Sequence, residues 1–283
     1  MTNYHQIPPV EQELLDRFEL NIHHAAQWIA RFGQSYLDHE ADESHPTMVW
    51  NAAQQKLIGR LTSGAVAVRI AVDVAAMQLQ FLDQNLNILH ALDIVGQESD
   101  AIEKWLQSNI QIVGLEAKSL AQMPYNDMPP APSDQFEASD LRTAQAWMAH
   151  RTNANWHLAH IRAELALESE INIWPHHFDT GVYFSLKSQA AEGDKAIGIG
   201  WAVSDTIVPE NYWYVYAWAA KKELAYDRLK PLSVGAWYMI PEGWKGAALP
   251  LSNITAIADA VAQKELVNTF LKESTTALLE LLN

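Results

Sequence analysis

From Leu15 the apolar residues Phe18, Ile22, Ala25, Ile29, Phe32 and Tyr36 recur at steps of three and four. That spacing lays one apolar stripe along a helix, so the sequence predicts a long amphipathic opening helix that packs on one side. A polar break at 38–45 ends it. The runs 65–72, 75–83 and 86–93 then read as short strands, with Asp83-Gln84-Asn85 as a turn, in an antiparallel meander. Ser99, followed by Asp100 and Glu103, has N-cap and first-turn chemistry for a short helix to about Ser108, ahead of a strand at 110–113.

The stretch 123–133 holds Pro124, Pro129, Pro130 and Pro132, whose fixed backbone angles and missing N–H donors suit neither a helix nor an inner strand. It divides the chain into an N-terminal part, 1–122, a Pro-rich connector, 123–137, and a C-terminal part, 138–283. The C-terminal part opens with a second long helix, about 139–167. Strands follow near 171–174, 178–187, 195–203, 211–218 and 236–251. A final helix begins near Asp259 and carries Leu266, Thr269, Phe270 and Leu278. Each part thus reads as long helix, antiparallel strands and shorter helix, which hints at a degenerate duplication. Strand and helix do not alternate as a parallel sheet would demand, so the expected class is α+β, antiparallel sheet packed by long helices. The two parts are also compatible with one compact domain.

Composition narrows the partners. With 283 residues, 49% hydrophobic and 19% charged, the chain can bury a real core. Lys+Arg total 19 against 34 Asp+Glu, a net charge of -15 that repels phosphate backbones and anionic lipid, so neither nucleic acid nor membrane is expected as a partner. The absence of cysteine excludes disulfides and thiolate chemistry and leaves His, Asp and Glu as ligands or proton carriers. The first residues have neither a basic start nor an apolar core, and no stretch approaches the roughly 18 apolar residues of a membrane span, so the expected location is the cytoplasm.

Candidate chemistry gathers in the C-terminal part, where six of the eleven tryptophans lie between Trp174 and Trp244. The run Trp174-Pro-His-His-Phe-Asp179 sets two imidazoles and a carboxylate at the mouth of an aromatic strand. Strand alternation from His176 would put His177, Asp179, Gly181 and Tyr183 on one side and His176, Phe178, Thr180 and Val182 on the other, mostly in core. A hairpin across Gly193-Asp194 would set the His177 side against Gly198 and Gly200, a floor with missing side chains that a helix or a ligand would fill. Tyr212, Tyr214 and Tyr216 form an amphipathic stripe. Trp237 and Trp244, with Glu242-Gly243 as a turn, would complete a rim.

His177 with Asp179 fits a general base oriented by its carboxylate, with Tyr183 beside them. It equally fits two ligands of a divalent metal, or a pair that merely ties the strand down. His157, His160 and Glu164, at i, i+3 and i+7, are a second metal-ligating alternative, although helical histidines at such spacing usually line a polar seam. The sequence requires no cofactor. The first reading is therefore a small-molecule-binding protein whose aromatic pocket, centred on His177 and Asp179 with His176, Tyr212, Tyr214, Tyr216, Trp237 and Trp244, takes a small polar molecule, with a hydrolase as the enzymatic version of the same reading. The alternative is a non-catalytic interaction or scaffold protein, a homodimer using the tyrosine-rich sheet and helices as its interface.

In Trp174–Asp179, Ile197-Gly-Ile-Gly200, Tyr212-Trp-Tyr-Val215 and Trp244-Lys-Gly-Ala-Ala-Leu-Pro250, and more loosely over 68–83, the chain resembles an uncharacterised bacterial protein family with no established activity. Its layout is more remotely similar to a larger group of bacterial domains of unknown function that end in a long helix. The resemblance implies a helix–sheet fold and a site near Trp174–Asp179. It implies no substrate, and His157 and His160 lie outside it.

Overall fold

The computed structural model describes residues 4–63, 66–125, 128–138, 140–166, 168–186, 195–220 and 223–282. The fold is α+β, and the strand pairs are antiparallel. Two compact units divide the chain discontinuously. The first holds 10–148 and 172–178; the second holds 1–9, 149–171 and 179–283. The Pro-rich stretch expected to connect two parts lies inside the first unit. It is tied there by side-chain contacts: Tyr125 Oη donates to Gln27 Oε1 at 2.5 Å, and Arg17 forks onto Glu137 with two 2.7 Å bonds.

In the first unit, α1 (Gln12–Tyr36) is followed by β1 (Met48–Asn51), β2 (Lys56–Gly59), β3 (Val68–Asp73), β4 (Gln78–Asp83), β5 (Ile88–Asp93) and α2 (Ser99–Ile112). The first part of α3 (Leu141–Glu164) and β6 (Asn172–Ile173) complete it. The strand order is β6-β1-β2-β3-β4-β5. The hairpin β1–β2 was not expected from the sequence, because four-residue strands are too short for alternation to register. Leu15, Phe18, Ile22, Ala25, Ile29 and Phe32 are buried, as the stripe predicts. A Cβ at Gly59 would sit 2.5 Å from Ile29 Cγ2, so the missing side chain is what lets α1 approach β2.

Residues 110–113, expected as a strand, instead close the last turn of α2. Ile110 continues the phase of Ile102 and Leu106, all three buried, and that four-residue spacing outweighs the local β-branched run. Ser99 is the first helical residue rather than the cap, which is Glu98. At the centre of the unit Trp147 is fully buried, edge-on to Trp50 at 5.6 Å and Phe18 at 5.9 Å, and stacked with Phe178 at 6.1 Å. Its Nε1 donates to the buried Glu19 Oε1 at 3.0 Å.

In the second unit the rest of α3 is joined by β7 (Thr180–Ser185), β8 (Lys195–Ala202), β9 (Tyr212–Ala219), β10 (Ala236–Met239), β11 (Lys245–Pro250), α4 (Leu251–Thr255) and α5 (Ala260–Leu282), with strand order β10-β11-β9-β8-β7. The run 236–251 is thus a hairpin and a short helix rather than one strand. Its turn includes Glu242 at φ 56°. Ile197 and Ile199 of β8, Val215 of β9 and Leu249 of β11 pack with Val267, Phe270, Leu271 and Leu278 of α5 in one core. Strands β7 and β8 meet with the expected faces matched, Gly181 opposite Gly200 and Tyr183 opposite Gly198, while the turn proposed at Gly193-Asp194 lies outside the described residues. Among the described residues no helix is long and apolar enough to cross a membrane.

Trp147→Phe keeps an aromatic ring, though a smaller one, and loses the bond to Glu19. It should destabilise the protein by about 2 kcal/mol, whereas Trp147→Ala should cost about 3–5 kcal/mol through the cavity it leaves. Urea denaturation of the two variants measures both.

Candidate functional site

Strand β6 ends at Ile173, and Pro175, His176 and His177 form a turn closed by Phe178 N–H donating to Trp174 O at 2.8 Å. Phe178 lies at φ 56°, an uncommon conformation for a bulky residue, and strand geometry begins only at Thr180. Pleat alternation therefore does not reach back to His177, and the expectation that it projects with Asp179 from one strand face fails at this turn. His177 is exposed. His176 is half-buried, its ring 4.3 Å from that of His177 and 6.0 Å from that of Tyr125. Phe178 is buried between Trp147 and His23, whose ring is parallel to it at 4.6 Å.

The turn is fastened to α1. Pro175 O accepts from His23 Nε2 at 2.7 Å and from Gln27 Nε2 at 2.8 Å. His24 Nε2 donates to Pro129 O at 3.0 Å, and burial lowers the His24 pKa below its ordinary value, so its ring is neutral near pH 7. His24, Gln27 and Arg31, at i, i+3 and i+7, form a polar seam beside the apolar stripe of α1.

This seam is one wall of a cavity of about 410 Å³. Ser99 and Glu103 at the start of α2 form a second wall, and the Pro-rich stretch with Tyr125 forms a third. Arg31 spans two of them: its Nε donates to Ala121 O at 3.1 Å, and its Nη2 lies 3.4 Å from Glu103 Oε2. The guanidinium carbon sits 4.6 Å over the Trp28 ring. An indole floor is thereby ringed by a cation, a carboxylate, an imidazole, an amide and a phenol. None of these residues was singled out from the sequence as a ligand-binding group. The signals present were the polar seam on α1 and a tyrosine set among prolines.

The second unit fills the glycine floor that the sequence left open. A Cβ at Gly200 would lie 2.4 Å from Tyr214 Oη, and one at Gly198 would lie 2.2 Å from Tyr216 Cε1. The rings of β9 therefore lie across β8 where a helix or a ligand was expected. Tyr214 Oη donates to Asp179 Oδ2 in a short bond, and Tyr212 Oη donates to Asp205 Oδ2 at 2.7 Å. Burial, then the Asp179 charge, raise the Tyr214 pKa well above normal, so the phenol keeps its proton. Tyr183 and Trp218 remain 45% and 47% exposed. Trp237 does not join a rim with the tyrosines; it packs on the α5 core and donates from Nε1 to Lys230 O at 2.9 Å. Trp244 covers Gly246.

The helical trio does not converge. His157 is buried, Nδ1 bonded to Asn268 Oδ1 at 2.9 Å, with its ring edge-on to Trp213 at 5.2 Å. His160 lies exposed on Trp156, and Glu164 is exposed. Among the described residues no three His, Asp or Glu groups are placed to hold a metal ion, those around His177 included. Comparison of the chain with protein-family models, with curated proteins and with solved structures found no match.

Burial holds His157, and also His150, at a pKa of about 3, and among the described residues neither ring nitrogen of His150 has a hydrogen-bond partner. Both folded-state values lie below the unfolded value of about 6.5. Their contribution to stability is complete above pH 6.5 and falls away as the pH drops toward 3, by about 1.4 kcal/mol per pH unit for each ring. Urea melts between pH 7 and pH 4 should show this slope, and His150→Phe should reduce it by about one proton's worth.

Proposed function

We propose that the protein is a cytoplasmic binder of a small polar molecule, and that the site is the cavity between α1, the start of α2 and the Pro-rich stretch. The observation that carries this reading is the meeting of Arg31, Glu103, His24, Gln27 and Tyr125 around Trp28 in a space of about 410 Å³. Pockets of a few hundred Å³ with an aromatic surface and a few convergent polar groups are the usual form of small-ligand sites. The reading moves the centre away from His177 and Asp179, because the first is exposed on a turn and the second accepts from Tyr214.

A second reading, an interaction protein that self-associates through the tyrosine face of the second unit, is favoured by the exposure of Tyr183 and Trp218. Light scattering separates the two. A dimer that dissociates in Tyr183→Ser/Trp218→Ser supports the interface, and a monomer at all concentrations retires it.

A thermal-shift screen of small polar metabolites tests the cavity. A ligand at about 100 times its Kd adds about 2.7 kcal/mol of stability, which is a rise of several degrees in Tm. Glu103→Gln and Arg31→Lys should each weaken a genuine ligand about tenfold or more. Hits unaffected by both substitutions, or no hits, overturn the proposal.

A further inference from the structure

The segment Tyr4–Pro9 has no helix or strand of its own, yet it is held along the second unit by side-chain amides that imitate a neighbouring strand. Asn153 on α3 accepts from His5 N–H at 2.9 Å through Oδ1 and donates to His5 O at 2.7 Å through Nδ2. Two residues on, Gln263 on α5 repeats the pattern: Oε1 accepts from Ile7 N–H at 2.8 Å and Nε2 donates to Ile7 O at 2.9 Å. The i, i+2 spacing is that of a β ladder, in which one residue in two exchanges both bonds with a partner. Asn153 and Gln263 are themselves buried, and Gln263 Nε2 is further positioned by Ile257 O at 2.8 Å.

Side chains supply selectivity. Ile7 is buried, and Tyr4 meets Trp156 and His157 edge-on at 6.2 and 5.5 Å. His5 and Gln6 face outward, Gln6 Nε2 donating to Ala258 O at 2.7 Å. Pro8 and Pro9 follow and stiffen the exit. Backbone pairing for affinity, with pockets for selected side chains, is how proteins recognise extended peptides.

We infer that the surface formed by Asn153, Trp156, His157 and Gln263 is a peptide-recognition groove, occupied in cis by the arm Tyr4–Pro9. Its ligand in trans is an extended peptide with an aromatic residue, a branched aliphatic residue three positions later, and proline after it. The arm acts as its own competitor. Tethered on the same chain, it has an effective concentration on the order of millimolar, so a peptide of equal fit enters at micromolar concentration only once the arm is weakened. The inference does not depend on the cavity of the first unit.

The test uses the full chain and a fluorescein-labelled peptide, Tyr-His-Gln-Ile-Pro-Pro, followed by fluorescence anisotropy. Wild type should bind weakly. Ile7→Asp, which places a carboxylate in an apolar site, should release the arm and raise peptide affinity at least tenfold. Adding Gln263→Ala to that variant should lower it again at least tenfold. Tyr4→Ala gives a milder form of the same release, and circular dichroism confirms that each variant is folded. Folded Ile7→Asp and Tyr4→Ala proteins that bind no better than wild type overturn the inference, as does peptide binding indifferent to Gln263→Ala.

Discussion

The carbonyl oxygen of Pro175 is buried with its residue, and a buried carbonyl left without a donor costs a few kcal/mol. Strand β6 stops two residues earlier, so ladder pairing does not serve it, and α1 does so instead through His23 and Gln27, one helical turn apart on one face. Each donor is then fixed for a second purpose. The His23 ring, held by its bond, stacks on Phe178 and helps hold that residue at positive φ. The Gln27 amide, turned by the same carbonyl, offers its oxygen to Tyr125 and draws the Pro-rich stretch against the helix. The backbone requirement of one turn therefore sets both the posture of the Trp174–Phe178 segment and a wall of the cavity.

A related economy of polar groups explains α3. The helix shows no clean apolar stripe, since Thr143, His150, Arg151, Asn153 and His157 are all buried among its apolar residues. Several of these have partners inside: Asn153 meets backbone, His157 meets Asn268 and Arg151 Nη1 meets Thr180 Oγ1 at 2.6 Å, whereas His150 stays inside as a neutral ring edge-on to Trp201. Amides suit this role because one side chain carries both donor and acceptor, and so can satisfy both groups of a peptide unit.

What was legible in the sequence was what depends on local period. The stripe of α1 and the alternation of β7, β8 and β9 give the correct faces, because 3.6- and 2-residue repeats belong to the backbone itself. Legibility ended where a local rule met a tertiary one. At His177 a turn with Pro175 and a positive-φ Phe178 interrupts the strand alternation. Gly198 and Gly200 did signal missing volume, but its occupant came from β9, whose pairing places Tyr216 and Tyr214 opposite them. Alternation within each strand does not by itself set a tyrosine beside each glycine; the register between β8 and β9 does. The cavity was less legible still, since its walls come from three stretches, around 21–31, 99–103 and 122–136, that no periodicity connects.

The electrostatics of that cavity narrow what fits it. A net charge of -15 sets a field that repels anions, yet at physiological ionic strength it is screened within about 8 Å, so the groups lining the cavity decide. Arg31 and Glu103 already face one another at 3.4 Å, and Arg31 also holds the carbonyl of Ala121. A ligand with a single charge of either sign would gain one of these partners and meet repulsion from the other. A neutral polar or zwitterionic molecule could bridge both without leaving either charge unpaired, with a planar portion against Tyr125. If the cavity is the proposed binding site, charge balance rather than net charge would select its ligand class.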